Sequence, residues 1–200
     1  MTWGEIQIEA LRKMFLNNDV IKVKELPNYK LDKKYKVYLD AMPQAYNEAI
    51  NIILETRPLI NIYELDFSDI NYVELKKKIK NFKRLYDIVY IGSNKPDYKI
   101  IGDNILTINN WNEENGKFLI YYESFVDRIT ADTEDTKEIE LDIQLCSLIP
   151  LYLAGELYKD DDLSLSTMYM NEFLTNLQNL ENKDINYSPS NIEMVYSIYV

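Results

Sequence analysis

The chain has 200 residues, 46% of them apolar, a formal net charge of −11 and no histidine. That length suits one domain, or one domain with an inserted subdomain. The acidity argues against general nucleic-acid binding, which needs cations against phosphates; it suits ordinary solubility, or a surface that repels DNA.

Thr2 to Asn17 is predicted as a helix. Thr2 followed by Glu5 has the spacing of a capping box, and Trp3, Ile6, Ala10, Leu11 and Met14 recur at helical intervals. Val20 to Leu31 alternates weakly around Pro27 and Asn28 and reads as a loop or short edge strand. Lys34 to Thr56 is a second helical region. Pro43 lies inside it, so a break is expected near Ala41 and Met42, followed by an apolar face of Ala45, Ala49, Ile52 and Ile53.

From Pro58 the pattern changes. PLINIYELDF alternates and is rich in β-branched residues, as a strand is. The basic run Lys76, Lys77, Lys78, Lys80, Lys83 and Arg84 follows. It could dock an acidic partner or a phosphate backbone. With Ile79, Phe82 and Leu85 at helical spacing it reads better as a short amphipathic helix showing charge to water. DIVYIG, YKIIGDN, ILTINNW and KFLIYYESFV read as further strands, and Asn115-Gly116 as a hairpin turn between the last two. The acidic linker Ala131 to Thr136 closes this segment.

Lys137 to Asn182 reads as a helical hairpin. Its first helix, Lys137 to Tyr158, is apolar on two sides: Ile139, Ile143, Cys146, Leu153 and Leu157 on one, Leu141, Leu145, Leu148 and Tyr152 on the next. Such a helix is one that others pack around. Pro150 is expected to kink it. Asp160, Asp161 and Asp162 start the second helix, where carboxylates suit the positive end of the dipole; a metal site there is the weaker reading. Leu165, Tyr169, Phe173, Leu177 and Leu180 form its stripe.

Pro189 ends the helical pattern, and the tail beyond it is apolar. Ile192, Met194, Tyr196 and Ile198 share one side of an extended chain, with Val195 and Tyr199 mostly on the other. Two apolar faces suit a strand buried in a partner. The alternative is a final strand of the chain's own core. NYSPSN before it reads as a flexible arm.

Chemistry is sparse. Lack of histidine removes Ser–His and Cys–His pairs and the commonest zinc ligand. The five glycines stand singly, with no phosphate loop. The single cysteine, Cys146, reads as a buried small hydrophobe. Seventeen tyrosines suit protein interfaces, or a coding bias towards Lys, Asn, Ile and Tyr. No catalytic residue, cofactor or metal is expected. Nothing reads as a signal peptide or membrane span, so cytoplasmic synthesis is expected.

The run IPLYLAGELYKDDDLSLSTMYMNEF resembles the C-terminal helical hairpin of the head-to-tail adaptor proteins of tailed phages, in which a helix ending in LYKDD precedes one containing NEF. TWGEIQIEALRKMF and MPQAYNEAINIILE are similar to that family's first two helices. Roughly half the chain is covered; the stretch from about Arg57 to Thr133 is not. The resemblance implies a virion protein of the phage neck: a ring of about twelve copies under the portal. Such a ring extends the channel through which DNA passes without sequence-specific contact, and holds the next neck or tail-connector protein. It also implies that the tail docks into the portal, through Tyr187, Ile192, Met194, Val195, Tyr196, Ile198, Tyr199 and Val200. The basic run would contact neighbouring copies or a partner.

The expected architecture is α+β: a helical bundle core from residues 1–57 and 134–182, an inserted antiparallel β-subdomain over 58–133, and an extended tail over 183–200. Two other functions remain open. One is an intracellular protein-binding module without a ring. The other is a carboxylate-based hydrolase, which needs two buried acids in one cleft.

Overall fold

The computed structural model describes residues 1–15, 23–65, 72–92, 97–102, 104–109 and 116–185. The chain is mixed α+β. Helix α1 (Trp3–Met14) opens on the capping box its sequence encodes. The Glu5 N–H donates to Thr2 Oγ1 at 3.3 Å, and the Thr2 N–H donates to Glu5 Oε2 at 2.8 Å. Two more first-turn donors, the N–H groups of Trp3 and Gly4, reach the carbonyls of Lys137 and Asp135, each at 2.8 Å.

Those acceptors correct the expected helix over Lys137–Tyr158. The segment that supplies them is not helical, and Glu138 bridges Thr2 in antiparallel fashion. Carbonyls committed to α1 are not free to begin a helix of their own. Helical structure resumes as one turn, α5 (Ile143–Cys146), and then α6 (Ile149–Leu157). Pro150 therefore causes no kink: it lies in the first turn of α6, where a missing N–H is tolerated. Ile143 is exposed rather than part of an apolar side.

Two other prolines also end up elsewhere than expected. Val23–Glu25 is a turn of 3₁₀-helix and α2 (Leu26–Tyr29) follows, with Pro27 in its first turn, so no edge strand forms over 23–29. Residues 16–22 lie outside the described residues. Helix α3 (Lys33–Thr56) runs unbroken through Pro43. Proline inside a helix costs about 3 kcal/mol. Leu39, Met42, Tyr46, Ile50 and Ile53 are all buried along the same helix, and each such side chain contributes about 1.5–3 kcal/mol. Burial wins.

Helix α7 (Leu163–Ile185) carries the predicted stripe, with Tyr169, Phe173 and Leu177 buried and Leu165 and Leu180 partly covered. Asp162 caps it, its Oδ1 accepting from the Ser164 and Leu165 N–H groups at 3.0 Å. Helix α6 is buried from Ile149 through Gly155, and α1, α3 and α7 all pack on it. At Gly155 the α6 and α7 backbones nearly touch: a Cβ there would lie 3.2 Å from both Met170 N and Ser166 O. The Ser166 hydroxyl donates to the Gly155 carbonyl at 2.7 Å, fixing that approach.

These helices belong to one compact unit, made of residues up to Arg57 and from Arg128 onward; Pro58–Asp127 form another. The second boundary falls earlier than 133. Ile129 is already tied to α3, its N–H donating to Asn47 Oδ1 at 3.1 Å and its carbonyl accepting from Asn47 Nδ2 at 2.8 Å.

The other unit holds two three-stranded antiparallel sheets. In one, β6 (Gly116–Ser124) lies between β1 (Ile60–Leu65) and β3 (Phe82–Gly92). In the other, β5 (Ile105–Asn109) lies between β2 (Tyr72–Glu74) and β4 (Asp97–Ile101). Hence β5 and β6 do not form the expected hairpin. Both sides of β6 are already paired, and Asn115 lies outside the described residues. The hairpin is β4–β5, turning at Gly102 with φ +57°. Leu106 and Ile108 of β5 share a core with Phe118, Ile120 and Tyr122 of β6. The basic run is not a single amphipathic helix. Leu75–Lys78 form one turn, α4, and Lys83 and Arg84 lie in β3.

The close approaches at two glycines set a test. A Cβ on Gly4 would lie 3.1 Å from both Asp135 Cβ and Asp135 O. Helix propensity alone favours Ala over Gly by up to about 1 kcal/mol. Gly4→Ala and Gly155→Ala are nevertheless expected to destabilise by about 1–3 kcal/mol, because backbone must move. Urea unfolding checks this; a raised midpoint in either variant would contradict it.

Candidate functional site

The basic run divides into two parts. Lys76, Lys77, Lys78 and Lys80 are exposed, with Lys77 paired to Glu74 at 2.8 Å. An exposed pair of that kind contributes little. Lys83 and Arg84 turn to Glu123 on β6, a carboxylate only 3% exposed. Arg84 Nε and one terminal nitrogen each lie 2.6 Å from Glu123 Oε1, and Lys83 Nζ lies 3.6 Å from Oε2. Successive strand residues normally face opposite ways. Here a register shift between Phe82 and Arg84 sets two residues against one, so both cations reach the same acid. The basic run is thus not one solvated face: Lys83 and Arg84 are turned to the molecule's own acid.

The acidic turn 160–162 is structural in the same way. Asp162 caps α7, and Asp161 Oδ2 accepts from the Tyr38 hydroxyl at 2.6 Å. Among the described residues no three His, Cys, Asp or Glu side chains group as metal ligands. Tyr38 belongs to an aromatic cluster around Phe15, whose ring meets Tyr35 at 4.9 Å, Tyr38 at 5.4 Å and Tyr158 at 6.1 Å, all edge-on. Lys34 Nζ sits 5.0 Å from the Phe15 and Tyr35 ring centres. The hydrogen bond to Asp161, with burial, pushes the Tyr38 phenol from 10.0 up to about 12. Burial also pushes the Cys146 thiol up, which leaves it protonated and unreactive near neutral pH.

A polar cavity of about 220 Å³ lies elsewhere in the helical unit. Trp3 and Gln7, one turn apart on α1, line it. Lys36, Leu39, Asp40 and Pro43 follow at helical spacing along α3. Thr130, Ala131 and Thr133 face them from the connection before α5, and Lys30 stands beside them with its Nζ on both Asp135 oxygens at 2.6 and 2.8 Å. The wall over 130–133 is braced. The Thr130 N–H donates to Thr133 Oγ1 at 2.9 Å, and the Thr133 N–H donates to the Thr130 carbonyl at 3.1 Å. Gln7 is 3% exposed, and among the described residues its Oε1 meets no donor and is closed to water. Lys36, Asp40, Thr130 and Ala131 are exposed, so they rim an open mouth.

No protein-family model and no curated protein matches this chain.

Of the residues singled out in the sequence, Tyr187, Ile192, Met194, Val195, Tyr196, Ile198, Tyr199 and Val200 lie outside the described residues. No helix among the described residues is long and apolar enough to cross a membrane. Sequence reading missed Gln7, Glu123 and the Tyr38–Asp161 pair. Only Gln7 left a mark there: it is a polar residue at a stripe position, four after Trp3.

Two tests follow. Asp161→Asn should return the Tyr38 phenol towards 10, read as ionisation at lower pH in ultraviolet absorbance, with Tyr38→Phe identifying the signal. A phenol whose folded value is raised stabilises the fold fully below pH 10. That contribution is lost as pH rises from about 10 through 12, so wild type should weaken there and Tyr38→Phe less so. An unchanged titration in Asp161→Asn would contradict the assignment.

For Glu123 the asymmetry is decisive. Glu123→Gln leaves cations that can turn to water, because Arg84 is 65% exposed. Replacing both Lys83 and Arg84 by Ala strands a buried acid, at about 3 kcal/mol or more. Urea unfolding should rank the double variant as the less stable; the reverse order would contradict this.

Proposed function

We propose that the chain is a structural adaptor of a phage neck. It forms a ring with neighbouring copies beneath the portal, extends the DNA channel and holds the next neck or tail-connector protein; it acts in the virion, without catalysis. One observation carries this reading. The three segments that resemble head-to-tail adaptors, in α1, in α3 and across α6–α7, pack together in a single helical unit. The β-strands, which carry no resemblance, form the separate unit Pro58–Asp127. Exposed apolar side chains give such an assembly surfaces to use: Leu163 and Met168 on α7, Ile62 and Tyr86 on the strands.

The protein-binding module without a ring rests on those same exposed residues. The hydrolase reading asked for two buried acids. Among the described residues the buried acid is Glu123, ion-paired with Arg84 and Lys83.

Electron microscopy of the protein mixed with the portal of its own virion tests the proposal. A ring seated on the portal is expected. Deleting Asn191–Val200 should leave the helical circular dichroism unchanged and abolish portal binding. If the full chain does not bind the portal the adaptor reading fails. If the truncated chain unfolds, the tail belongs to its own core and the docking part fails.

A further inference from the structure

Among the described strands four lie at sheet edges, and three of these are guarded. β3 carries two register shifts and the charges of Lys83, Arg84 and Asp87; β2 has three residues; β4 has five, with Asp97 and Lys99 among them. β1 has no such device. It pairs with β6 without a register shift, contains no proline and carries one charge, Glu64. Its free side follows from one bond. The Ser124 N–H donates to the Leu59 carbonyl at 2.9 Å, so Leu59 faces β6, and by alternation so do Asn61, Tyr63 and Leu65. The N–H and C=O groups of Ile60, Ile62 and Glu64 therefore point away from the sheet. Among the described residues nothing pairs with them. The side chains of these three residues share the face opposite the unit's core, where Ile62 is 57% exposed and stands beside Tyr121 in register.

This edge fits itself. We propose that β1 pairs with β1 of a second copy, antiparallel about a twofold axis at Ile62, joining two three-stranded sheets into one of six strands. In that register Ile62 meets the second copy's Ile62, and Ile60 meets Glu64. All are hydrogen-bonded pairs, so every outward N–H and C=O of the strand gains a partner. Tyr121 and Ile62 continue into their symmetry mates as one apolar row across the join. The charge opposes no like charge, since Glu64 falls against Ile60 and is held by its own Lys117 at 2.7 Å. This unit is also the one through which copies repel least. Pro58–Asp127 hold eleven acidic and nine basic residues, a net −2 of the chain's −11. Six residues span about 20 Å, so the contact stays below a standard interface of about 1,600 Å², and the pair is weak and concentration-dependent. A twofold contact closes on two copies, so this pairing is distinct from a ring contact and stands apart from the adaptor reading.

Sedimentation equilibrium of the full chain, up to about 1 mM, tests it together with single cysteine variants. The wild type is expected to dimerise as concentration rises. Ile62→Pro removes an outward N–H and no bond to β6, a place where an edge strand accepts proline. Ile62→Lys sets two cations against each other across the axis. Each should weaken the dimer at least about tenfold, with circular dichroism unchanged. Ile62→Cys should form a disulfide-linked dimer on mild oxidation, because Cα atoms lie about 5.5 Å apart in a hydrogen-bonded pair. Ile60→Cys and Glu64→Cys should not do so alone, and should when mixed. The native Cys146 is buried and takes no part. A monomer at every concentration overturns the proposal. So does an assembly of any size that both Ile62 variants leave intact, or cross-linking as fast at position 60 as at 62. A ring on the portal beside a monomeric free chain overturns the pairing and leaves the adaptor reading standing. The cysteine comparison decides the matter even if Ile62→Pro fails to fold.

Discussion

The helical unit depends on how the first turn of α1 is satisfied. A helix begins with N–H groups that have no partner within it. Here Thr2 and Glu5 answer part of that need, and the carbonyls of Asp135 and Lys137 answer the rest from far along the chain. Gly4 permits the approach, since a side chain there would meet Asp135 at 3.1 Å. Once the 135–138 segment is fastened, the next helix must start later, at Ile143, and Pro150 falls at a helix start. The same fastening, with Asn47 gripping Ile129, sets the connection over 129–138 against α1 and α3. The cavity wall at Thr130 and Thr133 is part of that connection.

What was legible in the sequence was local and one-sided. The Thr2–Glu5 box, the stripe of Tyr169, Phe173 and Leu177, and the alternation in KFLIYYES each depend on residues a few positions apart, and each element forms. The errors arose where a distant partner decided the outcome. Residues 137–142 have helical periodicity, but Trp3 of α1 takes the Lys137 carbonyl and the Ile139 N–H goes to the Met1 carbonyl. Pro43 signals a break, but the burial of Leu39, Met42, Tyr46 and Ile53 overrides it. Asn115-Gly116 signals a hairpin, but β6 is claimed on both sides by β1 and β3. Local propensity is a weak prior when burial or pairing of this size opposes it.

The charge pattern misled for a related reason. A run of Lys and Arg on paper looks like one patch. In the fold, Glu123 stands in sequence about forty residues away from Arg84 and opposite it in register. The shift at Phe82–Arg84 turns Lys83 towards the same acid. An ion pair made across strands leaves no periodic trace in sequence, because neither partner's position predicts the other's. Its worth is in uniqueness of register as much as in energy, since sliding β3 by one residue would strand a buried carboxylate.

Gln7 is the case where the sequence did carry a signal and the reading passed over it. On α1, Trp3, Ile6, Ala10, Leu11 and Met14 define a face that is buried, and Gln7 lies between them rather than on the outer side. Polar residues are seldom buried without a partner. A glutamine in such a stripe therefore implies a hydrogen-bonding neighbour in the fold. The neighbouring side chains do not supply the donor that Oε1 lacks. Glu123 Oε1, Asp161, Asp162 and Ser166 are each answered from within, whereas Glu123 Oε2 has Lys83 only at 3.6 Å and Gln7 Oε1 is packed away without a donor among the described residues.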